Sequence, residues 1–96
     1  MFARTSVWAG SPEAMSKWVE NAEVRVRGFV EGLPGNAGVF FLVDREAGTG
    51  LTLTLWETAE SAEATDRFAE QSRATTVEAT GTELMSRGSF EVVAQG

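Results

Sequence analysis

The sequence has no cysteine, no histidine and no tyrosine. Without cysteine there is no disulfide, no thiolate nucleophile, no iron–sulfur cluster and no thiolate zinc site. Without histidine the usual general base, the serine–histidine pair and the commonest metal ligand are gone. The missing tyrosine removes a phenolic proton relay. Chemistry in this chain falls to carboxylates, arginines, hydroxyls, indoles and backbone.

Long apolar runs are absent as well. The longest is Val39–Val43, far short of the ~20 residues of a membrane-spanning helix. The opening FARTSVW alternates and has no basic flank before an apolar centre, so no secretory leader is expected. A cytoplasmic location is the expectation. Positive charge is scarce: eight Lys and Arg stand against 14 Asp and Glu, a net charge of −6. Arg25 and Arg27 are the nearest approach to a basic cluster, so neither nucleic acid nor an anionic membrane is expected as a partner. Ninety-six residues, 43% of them hydrophobic, suit one small domain over 1–96.

What is present reads as alternating elements. Phe2–Trp8 is β-branched and aromatic, a first strand broken by Ala9-Gly10. Ser11-Pro12-Glu13 starts a helix: a capping hydroxyl, a proline at the first helical position and an acid at the positive dipole end. Met15, Trp18, Val19, Ala22, Val26, Phe29, Val30 and Leu33 then recur at threes and fours, one stripe of a helix ending near Gly32. Pro34-Gly35-Asn36 is a turn. Val39–Val43 is a second strand, Asp44–Gly50 a polar hairpin loop, and Leu51–Trp56 a third strand. Thr58 caps a second helix, with Ala62, Thr65, Phe68, Ala69 and Ser72 inward and Gly81 as terminator. Leu84–Ser86 and Phe90–Val93 form a fourth strand, kinked at Gly88.

The order β-α-β-β-α-β is that of an α+β, ferredoxin-like domain with a four-stranded antiparallel sheet. Two helices cover one face of such a sheet. Strands two and three carry apolar groups on both sides, Phe40 and Leu42 against Val39, Phe41 and Val43. The second face therefore needs a cover, and a homodimer packed sheet to sheet supplies it.

The LPG turn at 33–35, VFFLVDRE at 39–46, LTLTLWETAESAEA at 51–64 and the closing SFEVV together resemble the antibiotic biosynthesis monooxygenase-like family. The resemblance implies a dimeric α+β barrel. It also implies one of two chemistries: cofactor-free oxygenation of aromatic polyketide anthrones, or haem degradation. Both use a tryptophan at the end of the third strand, matched by Trp56. The asparagine of the anthrone oxygenases falls on Thr52. The histidine of the haem degraders falls on Asp66, so haem ligation by that route is excluded.

On this reading Trp56 and Thr52 are the candidate catalytic residues, and Trp8, Thr54, Phe40 and Trp18 the candidate substrate contacts, with no cofactor and no metal. Trp56 walls the pocket and donates its indole N–H; Thr52 and Thr54 share its strand face. Arg4, Arg45 and Arg73 are alternative partners for an anion. The ligand expected is small, apolar and aromatic. A plainer reading stands beside it: Trp56 and Trp18 plug the core, and the domain is a non-catalytic dimeric binding or interaction module.

Overall fold

A computed structural model describes residues 1–96. Strands β1 (Phe2–Ala9), β2 (Asn36–Asp44), β3 (Thr49–Trp56) and β4 (Glu83–Glu91) form one sheet in the order β2-β3-β1-β4. Every pairing is antiparallel. The ferredoxin-like expectation holds; the barrel does not. The sheet is open, with β2 and β4 as separate edges. Four strands at ~4.8 Å spacing leave those edges ~14 Å apart, too few for the sheet to bend round and close.

The first helix starts as its residues dictate. Ser11 accepts from the Ala14 N–H at 3.1 Å and proline occupies the first turn of α1 (Pro12–Asn21). Instead of running on regularly, the chain then widens into a π-helical turn over Ala22–Val26, closed by the Arg27 N–H on the Ala22 carbonyl, before α2 (Arg27–Glu31). The second helix is also divided. Thr58 caps α3 (Ala59–Ala64), and Thr65 ends it by turning its hydroxyl onto the Ser61 and Ala62 carbonyls. A fresh helix, α4 (Asp66–Thr80), follows and stops at Gly81, whose φ of +76° suits glycine.

Strand β4 runs unbroken through Gly88, and the irregularity falls instead opposite Val7/Trp8. Gly88 serves packing: a Cβ there would stand 2.5 Å from the Phe90 ring.

The register sorts the sheet into two faces. Arg4, Ser6 and Trp8 lie opposite Thr54, Thr52 and Gly50, which in turn face Val39, Phe41 and Val43. This is the helix side, where Trp8, Met15 and Trp18 form the buried core with Phe41, Val43 and Leu84 against it. The other side carries Val7, Leu51 and Leu42 in one row and Thr5, Leu53 and Phe40 in the next. No element of the chain covers it, and Phe40, Leu42 and Phe90 are exposed.

Candidate functional site

Between sheet and helices lies a cavity of about 60 Å³, counted as space open to the centre of a water molecule. At roughly 10–15 Å³ per water in that measure it holds several. Period two along β1 and β3 aims Arg4, Ser6, Trp8, Thr52, Thr54 and Trp56 into it from the floor. Trp18 and the π turn, through Ala22 and Val26, form the roof, and Ser72, Arg73 and Thr76 of α4 close one side.

The roof is fastened by polar contacts. Asn21 donates to Thr76 Oγ1 at 3.2 Å. Arg25 donates to the same oxygen at 2.9 Å and to the Ser72 carbonyl at 3.3 Å. The hydroxyls of Ser72 and Thr76 thus reach the cavity edge as members of a satisfied network. They occupy helix positions where a core would otherwise be apolar.

The two floor tryptophans are each held by a threonine. Trp8 Nε1–H donates to Thr52 Oγ1 at 3.2 Å, and Trp56 Nε1–H donates to Thr54 Oγ1 at 2.9 Å. Both indoles are almost wholly buried, and a buried indole N–H needs such an acceptor. The Trp56 proton, expected to point at a ligand, is here engaged with Thr54. Thr52 is placed differently. Its oxygen accepts from Trp8 while its own proton has no acceptor in the chain. The Ser6 hydroxyl, facing Thr52 across the strand pair, makes no hydrogen bond within the chain though the residue is buried.

Of the residues expected at the site, Trp56, Thr52, Trp8, Thr54 and Trp18 come together around this space. Phe40 does not; it lies on the uncovered face, and its neighbour Phe41 lines the cavity. A strand side chain reverses face at each residue, so choosing between 40 and 41 decides everything. Among the arginines, Arg4 and Arg73 border the cavity, whereas Arg45 sits exposed in the β2–β3 turn. Sequence reasoning turned Ser72 inward without assigning it to the site, and missed Ser6, Asn21 and Thr76. Ser6 had a readable signal, since it alternates with Arg4 and Trp8.

Arg4 and Arg73 share one carboxylate. Arg4 Nη1 meets Asp66 Oδ1 at 2.5 Å and Arg73 Nη2 lies 3.6 Å from the same oxygen. Burial lowers the Arg73 pKa, the charge of Arg87 lowers it further, and Asp66 acts in the opposite sense. No acid lines the cavity itself.

Solved structures share this architecture. A Deinococcus radiodurans protein, described as an antibiotic biosynthesis monooxygenase candidate, superposes with a TM-score of 0.77 at 11% identity, covering 99% of this chain and 95% of that one. The chain has the antibiotic biosynthesis monooxygenase fold. SnoaB, a cofactor-independent oxygenase from Streptomyces nogalater, shares the fold at TM-score 0.66 and 17% identity, over 98% of this chain and 94% of its own. So does the haem degrader MhuD of Mycobacterium tuberculosis, with two haems in its active site, at 0.68 and 21%, over 100% and 99%. No protein-family model matches the sequence, and no curated protein does either.

Haem does not fit the residues that this fold presents here. The chain has no histidine, cysteine or tyrosine to hold iron. Asp66, at the position expected for a haem histidine, is tied to Arg4 and Arg73. No helix is long and apolar enough to cross a membrane.

Proposed function

We propose that residues 1–96 form one domain that binds a small planar aromatic molecule of polyketide type between sheet and helices, and oxygenates it without a cofactor. The observation that carries this reading is the cavity floored by Trp8 and Trp56, with the Thr52 proton and the Ser6 hydroxyl unpartnered beside them. Apolar walls hold a ring, and a few convergent donors hold its oxygen.

The chemistry asks little of the protein. An anthrone-like substrate loses a proton, its electron-rich anion reacts with dioxygen, and the methylene carbon becomes a carbonyl. One oxygen atom stays on that carbon and the other leaves as water with the two hydrogens. The chain's part is to keep the ring dry, to hold the oxyanion on Thr52, and to lower its energy through Arg4 and Arg73. Trp56 acts as the wall. The proton passes to water at the mouth, because the only ionisable residues lining the cavity are those two arginines.

That same lack of a proton acceptor favours a second reading, in which the domain binds such a molecule and leaves it unchanged. Incubation with an anthrone in air separates the two. Quinone formed faster than in buffer, and slowed in Thr52→Val, supports oxygenation. Saturable quenching of tryptophan fluorescence, with the anthrone recovered intact, supports binding alone and excludes the first reading.

The protein acts as a homodimer in this proposal, with the apolar uncovered face of one copy against that of another. Phe40, Leu42 and Phe90 would otherwise stay wet on a sheet face that antiparallel sheets normally keep polar.

A further inference from the structure

Outside the cavity, and sharing two of its residues, is a second hollow lined by Arg4, Thr5, Asp66, Arg73, Arg87, Gly88 and Ser89. It holds no hydrophobic side chain. Three guanidiniums meet one carboxylate there, a local excess of positive charge on a chain whose net charge is −6.

The excess is not absorbed by the protein. Arg4 alone makes a close contact with Asp66. Arg73, with its side chain only 14% exposed, comes no nearer to Asp66 than 3.6 Å, a long contact for an ion pair. Arg87 makes neither an ion pair nor a side-chain hydrogen bond, and its charge bears on Arg73. A largely buried guanidinium with one long contact on its planar fork, beside a second that is unpaired, is a site poised for an anion that accepts at two points.

The two hollows meet at Arg4 and Arg73, and this fixes the shape of what spans them. We propose that the ligand is an aromatic acid, its ring inside among the tryptophans and its carboxylate outside on Arg73 and Arg87. The inference rests on the reading of the inner cavity as an aromatic site and names the substrate class for it. Asp66 shows that Arg73 takes a carboxylate as partner, here shared with Arg4. The acid group also sets orientation, since a ring anchored at the mouth enters only one way round.

The test compares anthraquinone-2-carboxylate with anthraquinone-2-carboxamide by quenching of tryptophan fluorescence. The proteins are wild type, Arg87→Gln and Arg87→Lys; Arg87 is exposed, so its replacement does not threaten the fold. The acid is expected to bind about tenfold or more tighter than the amide, the usual worth of a charged hydrogen-bonded pair. Arg87→Gln brings the ratio towards one, Arg87→Lys keeps part of it, and added salt erodes it. Equal affinity for acid and amide in the wild type would overturn the acid proposal and leave the aromatic site standing. A ratio untouched by Arg87→Gln would overturn the assignment to this hollow. Binding of neither compound would remove the inner site and this inference together. Displacement of the acid by an equal concentration of inorganic phosphate would overturn the choice of a carboxylate.

Discussion

The Trp18 indole rests on the bare backbone of Gly50: a Cβ at residue 50 would stand 2.9 Å from Trp18 Cη2 and 3.1 Å from Met15 Cε. Gly50 lies opposite both Trp8 and Val43, so this one missing side chain lets a roof tryptophan reach the floor. The indole is rigid and nearly buried, and its escape from a new side chain is into the cavity.

Gly50→Val is accordingly expected to lower stability by about 1–3 kcal/mol, the range for overpacking a filled core, and to weaken ligand binding with it. Urea denaturation and a fluorescence titration on the same sample measure both. An unchanged midpoint would mean that Trp18 does not sit on β3.

Thr54→Val strips the acceptor from the Trp56 N–H. Leaving that buried donor unpaired should cost about 1–3 kcal/mol. In a Trp56→Phe background the same replacement should cost clearly less, because no donor remains to be stranded. The coupling in a double-mutant cycle is the quantity to read; purely additive losses would count against the bond.

Asp66→Asn leaves Arg4 and Arg73 without their shared counter-charge. Asp66 is 47% exposed at its side chain, so the expected loss is modest, about 1 kcal/mol. It should shrink as salt is raised from 20 mM to 500 mM, roughly the range over which the screening length falls below the spacing of the groups. A loss indifferent to salt would point to packing rather than charge.

Arg73 carries the opposite expectation. Its pKa is lowered, chiefly by burial and next by Arg87, so the folded state holds this proton less tightly than the unfolded chain. Stability from such a group is gained only as pH rises through its folded value, and at neutrality its charge opposes folding. Arg73→Met should thus leave the denaturation midpoint at pH 7 unchanged or raised while abolishing preference for an aromatic acid. A lowered midpoint would show that the guanidinium is needed by the fold.

The uncovered face makes its own demand. Wild-type protein is expected to sediment as a dimer at micromolar concentration, and Phe40→Asp with Phe90→Asp as a folded monomer. A monomeric wild type would remove the sheet-to-sheet contact.

How far the sequence spoke can be judged residue by residue. The order of elements was legible because Pro12, Pro34, Thr58 and Gly81 punctuate it by strong local rules. The face carrying Trp56, Thr54 and Thr52 was legible because β3 alternates cleanly. In β2 the run from Val39 to Val43 is apolar throughout, so nothing local told Phe40 from Phe41; only pairing with β3 does. The π turn was hidden for a similar reason, as Ala22 and Val26 fit a regular stripe equally well. Closure of the sheet was expected from resemblance, and strand count decides it. The arginine hollow needed three distant elements, β1, α4 and β4, brought to one corner, which no local pattern records.

The widened turn between α1 and α2 holds one residue more than an ordinary helix would need. Val24 in that turn is 80% exposed. Wound at regular pitch, the same residues would swing everything after them by about 100°, carrying Val30 and Leu33 off the cavity. The π turn thus acts as a spacer that keeps the far end of the helix in register with the hollow beneath it. The shape of the interior is set by the pitch of five residues as much as by the side chains that line it.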